Sequence, residues 1–250
     1  MAKATVLRPI GRADRVDGQE VRNELLLHLP ENERELIHAQ LTFMTLSTHA
    51  ILNEAEGEIE DTYFMNSGLA SVLNVMKDGK SVEVGLTGKE GFVGLPVIVG
   101  FKSSPSRVIV QVSGSAFRLN TPALLKALRK CSELQRRLHR YSQVLSAQSS
   151  QVAACNRLHE VDERLARWLL MSQDRLGSSN VELTQEFLAH MLGTRRSSVT
   201  VAASILQKAG LIRYTRGHVQ IVNRLGLEAA ACECYEMMVK QGARWDGEIN

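Results

Sequence analysis

The chain has 250 residues, 44% apolar and 23% charged, with a formal net charge of +3. That composition excludes general disorder and supplies apolar mass for one large or two modest domains. No apolar run approaches the roughly 20 residues of a bilayer-spanning helix, so no membrane partner is expected. The first residues hold no apolar stretch of secretory type. The four cysteines, Cys131, Cys155, Cys232 and Cys234, are too few and too clustered for a disulfide framework. The expected location is therefore cytoplasmic, in a reducing compartment.

Residues 1–21 are polar and aperiodic and read as a loose arm. Leu26, Leu29, Leu36, Ile37 and Leu41 recur at helical spacing and predict one or two short helices. Beyond Leu41 the segments become short and β-rich. Thr62–Met65, Ala70–Met76, Ser81–Leu86, Arg107–Val112 and Ala116–Leu119 are predicted strands, separated by Gly, Asn and Asp. Asp78-Gly79 lies between two of them, where a hairpin turn needs positive φ. Strands at this spacing suggest a small barrel or jelly roll. The region is acidic: from Ile51 to Ile98 there are eight carboxylates against three lysines.

Thr121-Pro122 reads as a helix start. No Gly or Pro follows between Ala123 and Gln173, which predicts one long helix to about Leu158. Leu134, Leu138, Tyr141, Leu145, Gln148, Val152 and Cys155 alternate by four and three along it, the heptad seam of two helices packed lengthwise. Arg136, Arg137 and Arg140 leave only a narrow apolar stripe beside that seam. A homodimer seam is favoured over packing on the helix's own domain. Asp162 opens a second helix whose apolar face is Leu165, Trp168, Leu169 and Met171, and Gly177-Ser178-Ser179-Asn180 ends it.

Thr184 can cap the next helix, with Glu186 in its first turn. Phe187, Leu188, Met191 and Leu192 form its apolar face, Ala189 is small where a second helix would cross, and Gly193 suits the turn. The following helix begins near Arg195–Ser197 and turns Val199, Ala202, Ala203 and Leu206 inward. Small residue, turn and apolar residue at this spacing form a helix-turn-helix pattern. From Phe187 to Leu227 there is no acid, while Arg195, Arg196, Lys208, Arg213, Arg216 and Arg224 all fall there. A basic block in a near-neutral chain points to a polyanion, here double-stranded DNA. The outward residues are Arg195, Arg196, Ser197, Ser198, Thr200 and Val201, with Thr184 and Gln185 at the start of the first helix. Arg196 is assigned to base readout and Arg195 to phosphate. Arg213–Val222 reads as a hairpin with Arg216-Gly217-His218 at its tip, a wing able to touch the flanking backbone.

Three blocks together resemble the Crp/Fnr family of transcription regulators. Asp61-Thr62-Tyr63-Phe64 to Gly68, the Asp78-Gly79 hairpin and Gly88-Lys89-Glu90-Gly91-Phe92-Val93-Gly94 resemble the family's β-roll. The long helix and its Asp162 restart resemble the dimerisation helix and hinge. Leu183–Ile212 resembles the DNA-reading unit. The resemblance spans roughly residues 22–225. It implies an α+β fold: a cyclic-nucleotide-binding-like β-roll (a jelly roll) over 22–122, a dimerisation helix over 123–158, a winged helix-turn-helix over 159–226 and a C-terminal extension over 227–250. It also implies a homodimer on a two-fold operator, regulation of transcription, contact with RNA polymerase, and a small-molecule effector near Gly91, Phe92, Gly94, Leu95, Ser106 and Arg107. The family's cyclic-nucleotide binders carry a ribose-holding Glu where Leu95 and Pro96 stand here. Their Arg-Ser pair becomes Ser106-Arg107, one place late, and in a strand one place is the other face. Cyclic AMP is therefore not the expected effector, and the effector is left unidentified. The family's oxygen sensors use N-terminal cysteines for an iron–sulfur cluster; this chain has none before Cys131, so that cofactor is not expected.

The remaining motifs carry less. Gly79-Lys80-Ser81 lacks the upstream glycine of a phosphate-binding loop. Cys232-x-Cys234 is tighter than zinc spacing and has no second pair, Cys155 reads as a small packing residue, and the histidines show no ligand spacing. No metal site is expected. No nucleophile set or paired carboxylate stands out, so the chain is not read as an enzyme. Two alternatives stay open: a ligand-binding β-roll protein acting through protein contacts, and an enzyme using the β-roll cavity.

Overall fold

In a computed structural model describing residues 14–215 and 217–247, Asp17 and Gly18 turn a small hairpin between β1 (Arg15–Val16) and β2 (Gln19–Glu20). Val16 and Val21 are buried beneath it. Positions 14–21 are thus ordered by an Asp-Gly turn that the sequence reading passed over; the rest of the expected arm lies outside the described residues. Two short helices follow as expected, α1 (Glu24–Leu27) and α2 (Glu31–His38). Asn23 caps α1 and is fully buried, its amide donating to Met65 O and Gly91 O at 2.8 Å each.

The roll contains β3 (Thr42–Leu46), β4 (Ile51–Asn53), β5 (Asp61–Val75), β6 (Ser81–Thr87), β7 (Phe92–Val93), the helical turn α3 (Leu95–Ile98) and β8 (Ser106–Asn120). The sheet runs β3-β8-β5-β6, with β4 also on β8 and β7 also on β5. The Asp78-Gly79 hairpin forms as expected, pairing Val75 with Ser81. The four strands predicted on either side of Gly68 and Gly114 are two: β5 and β8 each run 15 residues. The register shifts where they cross. There a Cβ on Gly68 would lie 2.5 Å from Val112 O, and one on Gly114 2.2 Å from Ser67 O. These glycines are bulges that let two backbones meet, not strand ends.

The single long helix expected from residue 123 is also divided, into α4 (Thr121–Leu128) and α5 (Ser132–Leu158). The cause is remote in sequence. Glu33 of α2 is buried, and its two carboxylate oxygens accept from Glu133 N at 3.0 Å and Leu134 N at 2.9 Å. It caps the free N–H groups of a new helix N-terminus, where negative charge is favoured.

The chain then forms α6 (Val161–Leu176), opened by a Glu160/Glu163 capping box with Asp162 in its first turn, and β9 (Asn180–Glu182). Next come α7 (Gln185–Met191), α8 (Arg196–Lys208), β10 (Ile212–Thr215), β11 (His218–Ile221), α9 (Arg224–Ala230) and α10 (Cys234–Gly247). The wing sheet has three strands in the order β10-β11-β9. The expected hairpin is thus joined by a short strand just after the loop that ends α6.

The heptad positions of α5 face this chain's own interior. Leu134, Leu138 and Tyr141 join the core containing Leu26, Phe92 and Phe117. Leu145 lies against Gly85, where a Cβ would come within 2.8 Å of its Cδ1. Val152 packs with Leu69, Leu86, Met171 and Met238. Cys155 packs with Cys232 and Cys234. The expected dimer seam is corrected accordingly: the roll, α6 and α10 occupy it. Apart from Leu158 at its C-terminal end, the exposed residues of α5 are polar or small, including Gln143, Ser146, Ser150, Ala153 and Ala154. Among the described residues no helix is long and apolar enough to cross a membrane.

Candidate nucleic-acid interface and effector region

The helix-turn-helix is α7 and α8. Thr184 Oγ1 accepts from Phe187 N at 3.2 Å and caps α7 as expected. Gly193 adopts φ 56° in the turn. Val199, Ala202, Ala203 and Leu206 are buried in one core with Leu188, Ala189 and Leu192. That packing fixes which face of α8 is left outside. Arg195 is the N-cap residue, and Arg196 and Ser197 begin the helix. All three are exposed, as are Thr200 and Val201, whereas Ser198 is half-buried. Gln185 Oε1 accepts from Thr200 Oγ1 at 2.8 Å, locking the start of α7 onto α8. At the wing, Thr215 pairs with His218, and His218 is exposed. Arg216 lies outside the described residues. Two exposed guanidiniums and several hydroxyls thus sit at the positive end of a helix whose other face is anchored.

The expected effector residues do not converge. Gly91 is where Tyr141 of α5 meets the roll: a Cβ there would lie 2.1 Å from the phenol oxygen. That phenol donates to Thr87 Oγ1 at 3.0 Å. Phe92 is buried against Phe64, with ring centroids 4.8 Å apart. Gly94 caps α3 with φ 112°, and Leu95 is half-buried on it. Ser106 Oγ donates to Asn74 Oδ1 at 2.7 Å, and Arg107 Nε donates to Glu54 Oε1 at 2.7 Å. Val108 and Val110 point into the roll's apolar core with Met65 and Val93. Strand alternation puts Arg107 on the other face. The Arg107 guanidinium holds the Glu54 carboxyl below its usual range.

Between the roll and the winged region lies a buried carboxyl that the sequence reading did not single out. Glu83 of β6 accepts from Trp168 Nε1 of α6 at 3.0 Å and from Ser71 Oγ at 2.6 Å. Burial pushes it up to about 7 despite these two hydrogen bonds.

A second cluster bears on the cysteines and histidines that the sequence reading set aside. Cys155, His159, Cys232 and Cys234 bring one ligand atom each to within 4.8 Å of one another. Cys155 and His159 share the last turn of α5 at spacing i, i+4. Cys232 precedes α10 and Cys234 begins it. The structure sets Cys232-x-Cys234 against Cys155-x-x-x-His159, a pairing the sequence reading did not make.

Residues 163–230 match the family model of the Crp-like helix-turn-helix domain. Solved structures with the same fold include FixK2 from Bradyrhizobium japonicum (17% identity, TM-score 0.66, 77% of this chain and 98% of that one). They also include the c-di-GMP-responsive global regulator CLP of Xanthomonas campestris (14%, 0.65, 77% and 99%). A CRP-family transcriptional regulator from Thermus thermophilus is a third (20%, 0.62, 75% and 96%). No curated protein matches the chain. The fold and the helix-turn-helix define a DNA-binding transcription regulator. Its architecture, a β-roll region followed by a Crp-like helix-turn-helix domain, is that of solved Crp/Fnr-family regulators.

Proposed function

We propose that the chain acts as a homodimer on a two-fold operator, reading sequence through the N-terminal turn of α8. The observation that carries this is the exposed Arg195-Arg196-Ser197 start of a helix whose opposite face is buried, within an interval free of acids. Arg196 reads a base, Arg195, Thr184 and Gln185 hold phosphate, Ser197, Ser198 and Thr200 line the groove, and the wing with Arg216 and His218 flanks it. The dimer contact lies on the exposed small-residue face of α5, since its heptad face is already filled. Residues 22–122 form the sensor region, 123–158 the helical connection, 159–226 the DNA-binding domain and 227–250 an extension. The protein works by binding rather than turnover, with RNA polymerase as the further partner.

Cyclic AMP is not the effector. A cyclic phosphate buried without a paired guanidinium is costly, and the Arg107 guanidinium is held outside the roll by Glu54. Selection of bound sequences from random duplex tests the reading. Recovery of an inverted repeat supports it, and recovery of unrelated sequences or none refutes it.

A further inference from the structure

We infer that Cys155, His159, Cys232 and Cys234 form a tetrahedral zinc(II) site that fastens the C-terminal helix to the end of α5. The first support is dimensional. With Zn–S of about 2.3 Å and Zn–N of about 2.05 Å, a tetrahedral site has S···S edges of about 3.75 Å and S···N edges of about 3.55 Å. Cys155 Sγ and Cys232 Sγ are 3.5 Å apart, and Cys234 Sγ and His159 Nδ1 are also 3.5 Å apart. The four ligand atoms all lie within 4.8 Å of one another, so they enclose a single ion. A two-iron cluster divides its ligands between two metals and needs the pairs farther apart.

The surroundings fit the same ion. All three cysteines are buried and His159 is half-buried. With Nδ1 facing the cluster, Nε2 of His159 faces the exposed Glu233 Oε2 at 3.6 Å, on the side where a carboxylate orients a ligating imidazole in metal sites. Gln151 Nε2 donates to Cys234 Sγ at 3.1 Å. Three thiolates and one neutral imidazole around zinc leave a net negative charge. Arg164 and Arg167, 6% and 3% exposed, lie beside it. Arg164 donates to Asn156 Oδ1 at 2.8 Å and to Leu192 O, and Arg167 to Met171 Sδ at 3.3 Å, but among the described residues neither guanidinium forms an ion pair and the Nε of each has no hydrogen-bond partner. Buried cations without an ion-pair partner are expensive, and an anionic thiolate centre offsets that cost. Soft sulfur donors and tetrahedral geometry select zinc among common divalent ions. The site joins α5, its junction with α6 and the start of α10, so it clamps the hinge between the roll and the winged domain.

The test uses the full chain purified in reducing buffer. Elemental analysis should give one zinc per chain, released as the thiols are titrated with an organomercurial. Cobalt(II) in its place should give the visible bands of tetrahedral thiolate coordination. Cys232→Ser, just before α10, and Cys234→Ser, at its first residue, should lose metal and bands while circular dichroism stays that of the parent. Cys131→Ser, a buried cysteine elsewhere, should keep both. Chelation should lower the Tm of the parent and leave that of Cys232→Ser unchanged. A folded, reduced chain that takes up no zinc when offered it would overturn the site. So would zinc retained in the Cys232→Ser/Cys234→Ser double variant.

Discussion

Trp168 Nε1 donates to Glu83 Oε1 at 3.0 Å, joining α6, the first helix of the winged domain, to the second strand of the roll's Asp78-Gly79 hairpin. The same carboxyl accepts from Ser71, whose single hydroxyl proton also faces Gln111 Oε1. One proton cannot serve both acceptors. Turning the Gln111 amide, whose Nε2 is otherwise buried without a partner, lets it donate to Ser71 Oγ while Ser71 donates to Glu83.

The buried Glu83 carboxyl gives a pH dependence with a definite sign. Glu83 is raised by burial from 4.5 to about 7. Its favourable contribution is fully present below pH 4.5 and is lost as pH rises through 7. Relative to Glu83→Gln, the parent should lose about 3 kcal/mol of unfolding free energy across that window. Denaturant unfolding of both proteins at several pH values measures it. Parallel stability profiles would show that Glu83 titrates normally.

The two faces of α5 should respond differently. Leu138 is fully buried within the chain, so Leu138→Ala should cost about 2–5 kcal/mol of stability and leave the oligomeric state unchanged. Ser150 is exposed, so Ser150→Arg should leave stability nearly unchanged and shift the protein to monomer in sedimentation velocity. A dimer unaffected by Ser150→Arg would move the contact off this face.

Calorimetric titration with micromolar cyclic AMP should give no binding heat, and the nucleotide should not alter DNA affinity. Arg107 stays with Glu54 on the outer face of β8. Cyclic-AMP binding abolished by Arg107→Ala would mean that the side chain crosses to the interior.

The helix-turn-helix was legible because its signals are local. Thr184, Gly193 and Val199 occupy the cap, turn and crossing that their spacing dictates. The Asp78-Gly79 hairpin was legible for the same reason. What the sequence hid depends on distant partners. Gly68 and Gly114 read as breaks until each is seen against the other's strand. The division of α4 from α5 rests on Glu33, a hundred residues before Glu133. The heptad seam was real as an apolar stripe, but periodicity does not say whether the roll, α10 or a second copy covers it. The cysteine–histidine cluster was missed because Cys155 and Cys232 are 77 residues apart. Cys155-x-x-x-His159 was the available signal.

The most direct measurement is fluorescence anisotropy of the selected duplex with the parent, Arg195→Ala and Arg196→Ala across a range of salt. Parent affinity should fall linearly with log salt. Arg195→Ala should weaken all duplexes alike and reduce the slope by about one. Arg196→Ala should cost about 1–3 kcal/mol on the selected duplex and relax one base position. Salt-independent binding by the parent, or parental affinity in both variants, would contradict α8 as the DNA-reading helix.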